Sequence, residues 1–313
     1  MTSPVIRFWK KKLVLWKPEV TYNTDPVPTA AANYIEARNV ALTPADFDVE
    51  DRQLVKQSMG NTAKLITGHR LKLAFDVALA ASGTLGTVPK IGTLLRGCGW
   101  AETITALTKV EYSLVSAAFE SGAFYTYIDG VLHKGTGVRG TSSLKMDKGI
   151  PLLHVELTAL YTAPTDTAPD AATRTGWPIE APVNAANTLV CKLNSVDSWY
   201  SKFNFAQGNQ VVHDDFPGGY QAISVKDRAP TAGISILAPT LAVFDPFALA
   251  LAATNIPVQV VHGATAGNKV QVDLKTLITG VAYEEINGSA GYNLTLSPDD
   301  PTDADTEAKI TFI

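Results

Sequence analysis

GTLLRGCGW (residues 92–100), FYTYIDGVLHKGTGVRGTSSLKM (124–146) and LLHVELTALYTAP (152–164) decide the fold. The first places apolar residues at helical spacing and stops at Gly97 and Gly99, glycines that suit a helix C-terminus. The other two alternate apolar and polar residues, with turn signals at Asp129, Gly130 and Gly149, as strands joined by hairpins do. With KVEYSLV (109–115) and AFYTYIDG (123–130) as further strands, the region predicts a small antiparallel sheet with one helix packed on it. Nothing in it gathers groups that could do chemistry. The layout is that of an assembly protein.

Upstream, residues 1–32 alternate at KLVLW and then meet Pro18, Pro26 and Pro28, which forbid regular structure, so they read as an N-terminal arm. NYIEARNVAL (33–42) and RLKLAFDVALA (70–80) read as strands. Between them residues 43–69 read as a loop of a length that is usually functional or ordered against a partner. A first domain thus covers residues 33–163. Residues 164–188 carry Pro164, Pro169, Pro178 and Pro182 among Ala, Thr and Asp, a composition that extends, and read as a linker.

In residues 189–313 the grammar repeats. TLVCKLNSV, AISVKDRAP, GISILAPTLAV, IPVQVVHG, KVQVDL, ITGVAYEEI and GYNLTLSP read as strands, and DPFALALAAT as a short helix opening at Asp245 and Pro246. Aligned by order, VEDRQ pairs with VKDRA, RLKLAFDVALA with GISILAPTLAV, and GTLLRGCG with DPFALALAA. VLHKGTGVRG then pairs with VVHGATAGNK, and HVELTALYTAP with GYNLTLSPDD. The expectation is a mainly β chain of two tandem units, each with one short flanking helix and its own core, made by duplication. Two unrelated β-rich domains are the alternative.

At 313 residues the chain exceeds the size at which one core usually keeps growing. Its 46% hydrophobic and 18% charged content suits a subunit that hides surface in partners. A net charge of −4 argues against a protein that grips phosphates. Cys98 and Cys191 sit in apolar settings and read as inert core residues. Lys17 and Pro18 cut the first apolar run, so the start does not read as a signal peptide, and no run approaches a membrane span. Folding in a cytoplasm is the expectation.

Motifs with chemical meaning fail on context. Gly135, Gly137 and Gly140 satisfy G-x-G-x-x-G, but a strand follows where a helix must open. HGATAGNK has its glycines one residue too close for a phosphate loop and lacks the GK pair. SSLK (142–145) lacks the partner motifs of a serine nucleophile. His69, His133, His154, His213 and His262 have no chelating spacing. The acidic clusters Asp46–Asp51, Asp214–Asp215, Glu284–Glu285 and Asp299–Glu307 read as solvated loop charge, with a lumen or inter-subunit pattern as the other reading. Tyr112, Phe119, Phe124, Tyr125 and Tyr127 read as core rather than a base-stacking platform, and Lys10–Lys12 beside Trp9 and Trp16 as an arm docking on an acidic neighbour. No catalytic, cofactor or metal residue is assigned.

As a whole the chain resembles the major tail tube proteins of long-tailed, siphovirus-like bacteriophages. The resemblance spans nearly the full length. It rests on LVLWKPEVTYNTDPVPTAAANYIEARNVALTP, GTLLRGCGW, YIDGVLHKGTGVRGTSSLKM, LLHVELTALYTAP, EAPVNAANT, VKDRAP and TEAKITFI, in that order. It implies tail-tube-type β-sandwich or split-barrel units whose inner sheets join into rings, stacked into a hollow tube that conducts genomic DNA into the host. It gives residues 43–69, 1–32 and a C-terminal arm, 299–313, the role of binding the next ring. Expected partners are other copies of the chain, a tape-measure protein in the lumen, terminator and distal tail proteins at the ends, and DNA in passage, with no membrane. The expected place is the virion tail, after assembly in the host cytoplasm.

Geometry adds a stoichiometry. Six units of about four inner strands give about 24 strands and a barrel of roughly 45–50 Å, which leaves a lumen of roughly 35 Å, wide enough for duplex DNA. Trimeric, pseudo-hexameric rings are expected, with true hexamers as the alternative. A wall that must not trap DNA should be acidic or neutral. Deleting residues 1–20 is expected to leave folded subunits that no longer polymerise. Other tail parts (terminator, fibre, decoration protein) and a carbohydrate-binding or hydrolase β-protein are the competing readings.

Overall fold

The structure, a computed structural model, describes residues 6–302 and 304–313. It is mainly β: the described residues hold twenty strands and three helices of four to six residues, so sheet pairing carries the fold. The first half runs β1 (Lys12–Pro18), α1 (Ala30–Asn33), β2 (Tyr34–Ile35), β3 (Arg38–Asp51), β4 (Lys64–Ala78) and α2 (Gly92–Gly97). It continues with β5 (Trp100–Thr105), β6 (Lys109–Leu114), β7 (Gly122–Ile128), β8 (Val131–Lys145), β9 (Leu152–Tyr161) and β10 (Thr165–Asp166). The second half runs β11 (Val190–Leu193), β12 (Val196–Asp197), β13 (Tyr200–Ala206), β14 (Asn209–Phe216), β15 (Tyr220–Arg228) and β16 (Thr231–Leu237). It ends with α3 (Pro246–Leu251), β17 (Ile256–His262), β18 (Val270–Ile286), β19 (Ser289–Pro298) and β20 (Ala308–Phe312).

Strand pairing writes one topology twice. In the first half β2, β1 and β7 pair in that order, and β7 lies along the first part of β8, whose second part leads to β9, β4 and β3. In the second half β12, β11 and β17 pair in that order, and β17 lies along the first part of β18, whose second part leads to β19, β16 and β13. A last strand closes each half along its long strand, β10 on β8 and β20 on β18. Each long strand slips register at the same place, Thr136–Arg139 against β9 and Ile278–Gly280 against β19. A bulge there bends the strand so that it serves two sheets. In β8 the bend needs Gly137, at φ 60°, where a Cβ would stand 2.9 Å from the Tyr22 hydroxyl.

The alignment by order therefore equates β4 with β16, α2 with α3 and β9 with β19 correctly. It fails at VEDRQ, which ends β3, the counterpart of β13, whereas VKDRA ends β15, and at VLHKGTGVRG, whose counterpart is the start of β18; VVHGATAGNK is the end of β17 and its turn. KVQVDL and ITGVAYEEI are one strand. The β5–β6 hairpin is peculiar to the first half and β14–β15 to the second.

Three segments correct the sequence reading. Lys12–Pro18 is no arm: it pairs with β7 from Lys12↔Ile128 to Pro18↔Gly122 and buries Val14, Leu15 and Trp16. Pro18 ends the strand rather than forbidding it. Residues 1–5 of the expected arm lie outside the described residues. Residues 43–69 are mostly strand, because β3 and β4 form a long hairpin with only residues 52–63 between them. In the expected C-terminal arm, Ala308–Phe312 is a buried strand wedged between β18 and β6.

The halves also share one core. β13 pairs with β8, β20 pairs with β6, and one buried cluster runs from Trp16, Phe75 and Trp100 to Phe203, Ile234 and Leu294. Buried Gln207 and Asn209 each donate to the Cys98 carbonyl at 2.8 Å, tying the second half to the end of α2. His262 ties down the linker: one ring nitrogen meets the Ala181 carbonyl at 3.1 Å and the other the Thr188 hydroxyl at 2.9 Å, contacts a neutral ring satisfies. Burial pushes the pKa of His262 and His133 below the usual histidine value. The unfolded chain then takes up protons that the native chain refuses, so stability should fall as pH drops below about 6.5, by at most about 1.4 kcal/mol per unit per histidine. Urea midpoints at pH 7.5 and 5.5 check this; equal midpoints would rule it out.

Candidate assembly surface

The two repeats lay their inner strands side by side as one antiparallel sheet in the order β3, β4, β9, β8, β13, β16, β19, β18, four strands from each. Among the described residues its two edges are open. β3 pairs only with β4, and the Leu277–Ile286 part of β18 pairs only with β19. At the junction inside the chain the last inner strand of one repeat meets the first of the next, with Lys145 opposite Asn204 and Ser143 opposite Ala206. Because β18 is the counterpart of β8, and β3 of β13, the open edges are the same two surfaces that meet at that junction. Such a pair of edges is of the head-to-tail kind, which between copies generates rings where the rotation closes and open filaments where it does not.

Alternation gives this sheet two unlike faces. On β4, Leu71, Leu73, Phe75 and Val77 point into the core, and Lys72, Ala74 and Asp76 point away from it. The outward face continues with His154, Glu156 and Thr158 on β9, Lys202 and Asn204 on β13, and Asn293 and Thr295 on β19. Its charges are paired. Asp46 takes Arg70 at 2.8 Å and Lys72 at 2.7 Å, Asp76 meets His154 at 2.6 Å, and Glu284 takes Lys202 at 2.6 Å. The Lys72 hydrogen bond, joined by Arg70, holds Asp46 below the usual carboxylate range, and the Lys202 bond does so for Glu284.

Two hairpins project from the sheet. Beyond Asp46 the β3–β4 hairpin is exposed on both faces and carries Val49, Leu65 and Ile66, with Val55 and Met59 fully exposed in its loop. At its base His69 lies between Phe47 and Tyr161, 5.2 and 5.8 Å between ring centres. That much bare apolar surface at one tip makes it a candidate contact surface. Of the β14–β15 hairpin the sequence reading has only β15, as AISVKDRAP; the signal for its partner is the Pro217–Gly218–Gly219 turn that follows VVHDDF. Lys226 and Ser224 hold Asp214 on it at 2.7 and 2.5 Å.

Groups with chemical potential are not brought together. The five histidines sit apart: His69 on the projecting hairpin, His133 and His262 buried, His154 on the outward face and His213 on β14. No set of three His, Cys, Asp or Glu side chains among the described residues is placed to hold a metal ion. Cys98 and Cys191 are buried free thiols; burial, with Asp197 adding to it, pushes Cys191 up to about 12, and burial pushes Cys98 further. Tyr112 and Phe124 are fully buried, so they offer no platform to a base. Among the described residues no helix is long and apolar enough to cross a membrane. No protein-family model matches this sequence, and no curated protein matches it.

Proposed function

We propose that this chain is the subunit of a hollow tube, of the bacteriophage tail-tube type, through which duplex DNA passes. The observation that carries the reading is the eight-stranded sheet with two open edges, β3 and β18, whose counterparts β13 and β8 already pair with each other inside the chain. Three copies joined at those edges contribute 24 strands, and about 4.8 Å spacing at a tilt near 40° gives a barrel of roughly 45–50 Å. Copying the Lys145–Asn204 pair onto the open edges places Ile286 of one copy opposite Thr43 of the next. The outward face becomes the wall, and its paired cations leave little free positive charge to hold phosphates by counterion release. The apolar tip of the β3–β4 hairpin is then the surface offered to the next ring. Before DNA, a tape-measure protein occupies the lumen; terminator and distal tail proteins cap the ends, and the protein works in the virion tail after assembly in the host cytoplasm.

Negative-stain electron microscopy of the concentrated chain should show tubes or rings with three-fold end views, and light scattering should give three chains per ring. Six chains per ring would overturn the trimer, and a persistent monomer under all conditions would overturn the tube.

A further inference from the structure

Each repeat has a leader, a segment that runs into its first strand. For the second repeat it is the chain between β10 and β11; for the first it is the segment ahead of β1. Close to their strands the two leaders do the same thing. The Gly263 N–H donates to Asn187 O at 2.6 Å beside the β17–β18 turn, and the Asp129 N–H donates to Lys11 O at 2.9 Å beside the β7–β8 turn. Four residues upstream of Asn187 the second leader departs from its own repeat and straps the one before it. The Val183 N–H donates to Gly149 O in the β8–β9 turn, Glu180 pairs with Arg38, and Arg174 pairs with Glu36. Trp177 donates to the Tyr34 carbonyl and packs edge-on against that ring, 6.5 Å between centres.

The matching surface of the second repeat is bare. Val196–Asp197 is the counterpart of Tyr34–Ile35, and just beyond it Trp199 stands 77% exposed. Trp199, Tyr200, Leu237 and Ile286 border one side of an open cleft of about 670 Å³, with the linker at Val183–Leu189 and Lys148 on the other, and the β18–β19 turn at Asn287, the counterpart of the turn that Val183 meets, lies on its rim. The first leader, meanwhile, shows Ile6, Phe8 and Trp9 to solvent, the last 72% exposed. It is basic, with Arg7 and Lys10–Lys12; the surface around the cleft carries exposed Glu285 and Asp197, the latter 3.7 Å from Lys192, and one lining cation, Lys148. In the free chain Arg7 pairs with Asp166, Lys11 pairs with Asp129 at 3.1 Å, the Phe8 N–H donates to Asp129, and Lys11 and Lys12 lie over the Phe8 and Trp9 rings; the outermost of these, the exposed Arg7 pair, contributes little.

We propose that residues 6–11 of one copy strap the second repeat of the preceding copy at Trp199, Leu237 and the Asn287–Gly288 turn, as the linker straps the first repeat within the chain. This rests on the ring reading. Counting four residues upstream of Lys11 sets Arg7 at the Asn287–Gly288 turn, so the test is a cysteine pair, Arg7→Cys with Asn287→Cys, oxidised in concentrated full-length protein. Both sites are on the surface, and native Cys98 and Cys191 are buried, so the unsubstituted chain is the blank. A second pair, Thr43→Cys with Ile286→Cys, reports the ring edge alone. Loss of the monomer band to covalent multimers with both pairs is the expected result on a non-reducing gel. Multimers with the edge pair only would overturn the strap and leave the ring standing. Multimers with neither pair, in protein that forms no particles, would overturn both.

Discussion

Removing Ala308–Ile313 should unfold much of the second repeat and leave little soluble protein. The six residues look dispensable at the end of an acidic, proline-containing stretch, but β20 is the strand that seals the molecule. Ile310 and Phe312 are almost wholly buried, and full burial of such side chains is worth about 1.5–3 kcal/mol each. Both ladders of the strand go with it: Val270–Leu274 of β18 on one side and Val110–Ser113 of β6 on the other. The cut also bares Tyr112 and Val272, which are buried beneath those ladders. A combined loss on the order of 5 kcal/mol approaches the whole stability of an ordinary domain. The cut spares Glu307 and Asp305, which clasp Arg228, so the loss can be charged to the strand itself. Urea unfolding followed by far-ultraviolet circular dichroism is the check, and a truncated chain with the full-length midpoint would refute the expectation.

The parts of this fold that could be read in advance are those where local chemistry and tertiary role agree. GTLLRGCGW and DPFALALAAT become the helices they resemble, the second capped by Asp245, whose carboxylate accepts from the Phe247 and Ala248 N–H groups at 3.0 Å. The alternation of LLHVELTALY becomes a strand with Leu153, Val155, Leu157 and Ala159 inward. Misreadings occur where pairing across the chain overrides local signals. KLVLWKP ends in a proline and has four lysines in or just before it, and only the waiting edge of β7 makes it a strand. TPADFDVED is acidic and contains Pro44, yet it pairs with β4 through two register shifts, because Arg70 and Lys72 neutralise Asp46 and Asp48 on the facing strand. Separate cores are expected from a proline-rich linker, but the bonds that merge them run from Gln207 and Asn209 to Cys98, over a hundred residues away. The open edges were not legible at all, since an edge is defined by strands that are absent. They emerge only once the repeat topology shows which strand β18 and β3 each stand in for.

Trp16→Ala should destabilise the chain by about 3–5 kcal/mol, the range for emptying a buried large aromatic site. The indole is 2% exposed and fits between two glycines: a Cβ at Gly97 would stand 2.4 Å from its ring and one at Gly122 2.5 Å. Neither neighbour has a side chain that could swing in, so the cavity left by alanine stays open between α2 and the start of β7. The same contact reverses the expected effect of shortening the N-terminus. Deleting residues 1–20 removes β1 with Val14, Leu15 and Trp16 and strips the edge of β7, so it should give unfolded protein rather than folded subunits that cannot polymerise. Deleting residues 1–11 stops short of the strand and should leave the thermal midpoint within a few degrees of the intact chain while impairing assembly. Calorimetry of Trp16→Ala and of the two deletions, alongside light scattering of the shorter one, separates the roles. If the 1–20 deletion melts cooperatively at the temperature of the intact chain, β1 is not the structural strand its pairing makes it.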